Sequence, residues 1–71
     1  MKRHEAVALM KELGEGQLIQ PSLVLIEQRT PEKYQLCVKG DYDFFKIESF
    51  LEKYNLDFEE NAKGYLCIFK P

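Results

Sequence analysis

The spacing of apolar residues changes repeatedly along this chain, and those changes limit the available folds more than any other feature. Apolar residues recur at helical spacing over residues 3–13, and again in a stripe from Phe44 to Tyr54. Four other segments have strand character: residues 23–29, 33–39, 56–60 and 65–70. The order is α-β-β-α-β-β. We therefore expect an α+β fold, a two-layer α/β sandwich with two helices on one face of a four-stranded, largely antiparallel or mixed sheet.

Residues with special backbone preferences divide these segments. Gly14 is expected to end the first helix, and Asp41 or Asp43 to cap the start of the second. Pro31 favours a tight turn between the first two strands, which makes them a hairpin. Gly64 can take a left-handed conformation in the turn before the last strand. These turns favour antiparallel neighbours.

The length of the chain limits its core. Its 71 residues suit one small domain, residues 1–71, which would bury only about 60% of its unfolded surface. Association with a second copy is one common way for so small a domain to gain stability. A self-associating surface is therefore expected more strongly here than in a longer chain.

Charge and hydropathy argue against several classes of partner. The net charge is −2 without a cluster of basic residues, so a role in gripping nucleic-acid phosphates is not expected. The longest strictly aliphatic run, residues 23–26, is far shorter than the roughly 20 residues that span a bilayer. Two cysteines are too few for a disulfide framework. We expect a cytoplasmic protein with no membrane association.

The four strand segments differ in how their apolar residues are arranged. Residues 33–39 and 56–60 alternate apolar with polar, as expected for a sheet with one wet face. Residues 23–26 and 65–69 are apolar at successive positions, so each of these strands has apolar side chains on both faces that are expected to be buried. Placing these two-sided strands at the centre predicts the strand order 2-1-4-3.

The last strand suggests a binding surface. If Leu66 and Ile68 pack against the helices, the intervening residues face outward and form an apolar patch. The predicted partner-binding residues are Val24, Ile26, Tyr65, Cys67 and Phe69. We expect a small non-enzymatic binding or assembly module that pairs as a homodimer or with another protein. The same pattern also fits strands whose outward residues pack locally without any partner.

The two cysteines suggest an alternative function in thiol chemistry or metal binding. Cys37 and Cys67 lie in the similar segments "YQLCVK" and "YLCIFK", and would share the outward face if this similarity is structural. There is no C-x-x-C motif, and His4 is the single histidine. We therefore expect no catalytic residues, metal ligands or cofactor.

A second alternative is weak binding of single-stranded nucleic acid, with bases stacked on the outward aromatic residues. Its basic support would be limited to Lys39 and Lys70.

Overall fold

A computed structural model describes residues 1–40 and 42–71. The helices are α1 (Arg3–Glu15) and α2 (Phe44–Lys53), with a short 3-10 helix at Pro21–Leu23. The strands are β1 (Val24–Thr30), β2 (Lys33–Val38), β3 (Asp57–Glu60) and β4 (Leu66–Phe69). The α+β fold and the element order α-β-β-α-β-β are confirmed.

The sheet is antiparallel throughout its three strand pairs, in the order β1-β2-β4-β3. The predicted order, with β1 at the centre and β2 at an edge, is wrong. The central strands pair through two fully buried runs, Leu36–Val38 and Leu66–Ile68. The alternation of apolar and polar residues over 33–39 suggested an edge strand, but its two lysines are the first residue of β2, Lys33, and the residue after its last, Lys39, where long side chains reach solvent.

Both helices cover the same face of the sheet, and the core lies between the two layers. The predicted inward packing of Leu66 and Ile68 is confirmed, because both belong to the buried cluster. The other buried members of the cluster are Ala6, Leu9, Leu13, Ile19, Leu36, Val38, Ile47 and Leu51. Burial of such aliphatic side chains, at about 1.5–3 kcal/mol each, is the main force that holds the helices on the sheet.

The pairing of β1 with β2 determines which way each β1 side chain points. Val24 lies opposite Val38 and Ile26 opposite Leu36, so both face the helices and pack against the core. The prediction that Val24 and Ile26 lie on the outward face is therefore wrong. A strand that is apolar at successive positions carries no face preference of its own, and its register with β2 decides the outcome.

Side-chain caps explain where α2 begins and how the second hairpin turns. The Asp43 carboxylate accepts hydrogen bonds from the backbone N–H groups of Phe45 and Lys46, as an N-cap does. Asp41, the other predicted cap, lies outside the described residues. In the β3–β4 turn Gly64 has φ +80°, and the Asn61 side chain accepts from the N–H of Tyr65 at 3.0 Å.

Candidate interaction surface

The open face is the side of the sheet opposite the helices, and its centre is apolar. Strand register places Leu25 beside Cys37, and Cys37 beside Cys67. Phe69 lies on the same side of β4 as Cys67, and Tyr65 flanks the strand on that side. Because the cysteines are buried, the apolar groups that reach solvent are Leu25, which is 39% exposed, and the half-buried Tyr65 and Phe69.

Three of the five predicted partner-binding residues therefore lie together on the open face: Tyr65, Cys67 and Phe69. The other two, Val24 and Ile26, lie on the helix-facing side and are separated from them by the sheet. Leu25 takes their place on the open face, a position that sequence reasoning missed. The sequence does show that Leu25 faces the opposite side from Val24 and Ile26. Only the strand register shows which of the two sides is the open face.

Arg29 crosses the open face from the edge strand and packs over Phe69. The β1–β2 register shifts at this residue, and such a β-bulge re-aims the side chain. Its guanidinium lies 3.8 Å from the centre of the Phe69 ring and donates to the Gln35 side chain at 3.0 Å. It also pairs with the Glu59 carboxylate on the far edge strand at 2.7 Å. Arg29 therefore links all four strands and covers part of the aromatic surface.

The cysteines form a cross-strand pair of free thiols at the centre of the sheet. Cys37 and Cys67 face each other in the β2–β4 register and are 0% and 1% exposed. Their predicted sharing of one face is confirmed. The Cys37 thiol also lies 3.6 Å from a carboxylate oxygen of Glu27.

The environment of Cys37 keeps its thiol protonated. Burial raises its pKa well above the usual range, and the neighbouring Cys67 and the Glu27 carboxylate raise it further. Since the thiolate is the reactive form, Cys37 is a poor nucleophile in the folded protein at neutral pH. This disfavours a thiol-based catalytic function for it.

Charges on the open face are divided between its two halves. The β1–β2 half has three basic side chains and one acidic side chain, a net charge of +2, whereas the β3 edge has two acidic side chains, a net charge of −2. These residues are Arg29, Lys33, Lys39 and Glu27 on the first half, and Asp57 and Glu59 on β3. One cross-face ion pair, between Arg29 and Glu59, already joins the halves.

A second apolar region lies away from the sheet, at the start of α2. Phe45 is 83% exposed and borders a shallow groove whose apolar lining includes Leu18, Pro21, Tyr42 and Phe44. Aromatic contacts fix the neighbouring Phe44, which stacks edge-on against Phe58 at 5.0 Å between ring centres. Phe45 forms no such aromatic pair within the described residues, and at 83% it is the most solvent-exposed of the large apolar side chains in residues 1–40 and 42–71.

Within residues 1–40 and 42–71, no group of three or more His, Cys, Asp or Glu side chains is placed to hold a metal ion. No helix in these ranges has the length and apolar character needed to cross a bilayer.

The fold and its surface define a small two-layer α+β protein with an open antiparallel sheet face. Comparison with known protein families, characterised proteins and solved structures found no match to this chain.

Proposed function

We propose that this protein is a non-enzymatic assembly module that self-associates through the open face. The observation that carries the proposal is the apolar strip formed by Leu25, Tyr65 and Phe69 on the side of the sheet opposite α1 and α2. A sheet face that binds nothing normally presents polar side chains to water. Covering this strip with a second copy removes its apolar surface from solvent.

The charge division of the open face supports a second copy as the partner. A two-fold axis parallel to the strands, lying between two stacked sheets, places the β3 edge of each copy over the β1 edge of the other. The net +2 half then faces the net −2 half twice, with Lys33 available to Asp57 of the other copy. An axis perpendicular to the strands would oppose like charges. The parallel-axis arrangement is therefore the expected dimer.

The size of the open face sets the expected affinity. Four strands of seven, six, four and four residues, about 4.8 Å apart and rising about 3.3 Å per residue, give a footprint of roughly 300–350 Å² per copy. The total buried area, about 700 Å², is below the roughly 1,200 Å² of stable interfaces and corresponds to a weak and transient complex. Arg29 already covers the Phe69 ring and pairs with Glu59 within one chain, so these groups contribute less to binding a second copy. We expect a dissociation constant in the high micromolar range.

Sedimentation equilibrium over loading concentrations from about 10 µM to about 1 mM tests the proposal. Wild-type protein should shift from monomer toward dimer within this range. Leu25→Asp should remain monomeric because it places an unpaired charge in the apolar strip, and the 39% exposure of Leu25 makes the substitution tolerable in the monomer. Circular dichroism of the variant checks that it is folded.

Phe45→Asp is the matched control, since it makes the same kind of change at an exposed apolar residue on α2. It should dimerise like the wild type. Wild-type protein that stays monomeric up to about 1 mM would refute self-association. A dimer lost in Phe45→Asp but retained in Leu25→Asp would transfer the interface to the α2 groove and also refute the proposal.

A further inference from the structure

The backbone hydrogen bonds of β2 determine the geometry of the cysteine pair. The N–H of Lys39 donates to the carbonyl of Leu23 at 2.8 Å, on the β1 side. The N–H of Tyr34 donates at 2.7 Å to the carbonyl of Met1, which borders the same groove as Lys70, the residue that follows β4 on the other side. Backbone groups of successive residues in a strand point to opposite sides, so odd-numbered residues of β2 bond toward β1.

This alternation makes Cys37 and Cys67 a non-hydrogen-bonded pair. The backbone groups of Cys37 point toward Leu25, and none points across to β4. In such pairs the Cα atoms are about 4.5 Å apart, and the side chains approach more closely than in hydrogen-bonded pairs. A disulfide needs Cα atoms about 4.4–6.8 Å apart, so the existing register already satisfies this requirement.

We propose that Cys37 and Cys67 are a disulfide-forming pair, which a small-molecule disulfide such as oxidised glutathione closes into a cross-link between β2 and β4. Two observations carry the inference: the direct cross-strand register and the free-thiol state of both residues. The inference does not depend on self-association of the protein. It assigns a redox modification site at the centre of the sheet.

The reaction proceeds through two thiol–disulfide exchanges. One cysteine loses its proton and attacks glutathione disulfide, which gives a mixed disulfide and expels one glutathione thiolate. The second cysteine, after losing its proton, attacks the protein sulfur of the mixed disulfide and expels the second thiolate. The protein loses two electrons and two protons, and one glutathione disulfide takes them up to become two reduced glutathiones.

Burial controls how fast this reaction occurs. Both sulfurs lie beneath the side chains of the open face, and an external oxidant cannot reach them in the closed fold. The reaction therefore proceeds during folding or through local opening of the sheet, and it is slow in the folded protein. The equilibrium position depends instead on the native geometry, which holds the two sulfurs together.

A refolding experiment removes this kinetic barrier. Reduced wild-type protein is unfolded in denaturant and then diluted into buffers with graded ratios of reduced and oxidised glutathione, near pH 8.5 where free thiols ionise. Acid quenching, intact mass and size-exclusion chromatography identify the product. Cys37→Ala and Cys67→Ala are the matched controls, since neither can form the intramolecular bond.

The expected wild-type product is a monomer lighter by two hydrogen atoms, with native circular dichroism and no bound glutathione. Its melting temperature should exceed that of the reduced protein by on the order of 10 °C, because the bond closes a loop of about 30 residues. Added reductant should reverse the increase. Each single-alanine variant should stop at the mixed disulfide.

Two results would overturn the inference. One is wild-type protein that refolds with native circular dichroism but carries only free thiols or glutathione adducts under the most oxidising buffer. The other is a cross-linked product without native circular dichroism, which would mean that the bond is incompatible with the fold. Both readouts compare oxidised with reduced wild-type protein, so the test remains valid if a cysteine variant does not fold.

Discussion

Replacing Arg29 with alanine tests how far one surface side chain stabilises the sheet. The substitution removes three contacts together: the ion pair with Glu59, the contact with the Phe69 ring and the hydrogen bond to Gln35. The Arg29 and Glu59 side chains are 34% and 52% exposed, so solvent screens the ion pair, and its share is about 0.2–1 kcal/mol. A half-exposed cation–π contact adds about 0.5–1 kcal/mol, and the hydrogen bond about 0.5 kcal/mol.

The expected loss for Arg29→Ala is therefore about 1.2–2.5 kcal/mol in the free energy of unfolding, measured by urea denaturation. For a domain of this size this loss corresponds to a fall in melting temperature of about 5–20 °C. A double-mutant cycle with Glu59→Gln isolates the ion pair, whose coupling should be about 0.2–1 kcal/mol and should shrink as salt is added.

Lys53→Ala is the control for removal of a long cationic side chain. Its ammonium lies 5.4 Å from the centre of the exposed Tyr54 ring, and the substitution should cost less than about 0.5 kcal/mol. If Arg29→Ala and Lys53→Ala lose equally little stability, the contacts of Arg29 across the sheet do not stabilise the fold in solution.

Three further substitutions probe the core, a helix cap and the response to pH. Ile68→Ala removes a 0% exposed side chain from the core and should cost about 2–5 kcal/mol in urea unfolding, and a loss below about 1 kcal/mol would contradict its central position. Asp43→Ala removes both N-cap hydrogen bonds of α2 and should cost about 1 kcal/mol, whereas Asp43→Asn should retain most of the stability. The backbone N–H of Lys2 lowers the pKa of Glu5 below its usual 4.5, so ionised Glu5 stabilises the fold above this pH, and its contribution is lost as the pH falls through the folded-state pKa. Melting curves of wild type and Glu5→Gln should therefore differ near neutral pH and converge in acid, and a difference that persists in acid would contradict this origin.

The fold was predictable because it depends on periodicity that each segment carries locally. Helical spacing in residues 3–13 and alternation in residues 33–39 are readable without knowing what packs against them. The inward direction of Leu66 and Ile68 followed because aliphatic residues suit the layer between sheet and helices. The similarity of "YQLCVK" to "YLCIFK" was the separate reason for expecting Cys37 and Cys67 on one face.

The strand order and the face of β1 were not predictable from such patterns. Val24, Leu25 and Ile26 are all apolar, so the strand has no polar position to indicate its solvent side. The pairing with β2 determines which face of β1 points to solvent, and that pairing depends on the turn and on the bulge at Arg29. β2 was predicted to be an edge strand because residues 33–39 alternate apolar with polar.

The contacts of Arg29 had no local signal at all. They join positions six residues and thirty residues apart in the chain, and they form only because four strands lie side by side. An exposed arginine in a strand is ordinarily interpreted as a solvated side chain. Only the three-dimensional order of the strands brings Glu59 and Phe69 within its reach.

The strand order also has a consequence for the folding pathway. β1–β2 and β3–β4 are hairpins that close short loops, and such hairpins form within microseconds. The β2–β4 pairing joins residues about thirty positions apart, and its loop-closure entropy must be overcome before the central contacts form. Docking of the two preformed hairpins is therefore the expected rate-limiting step, with the highest φ-values at Leu36 and Ile68.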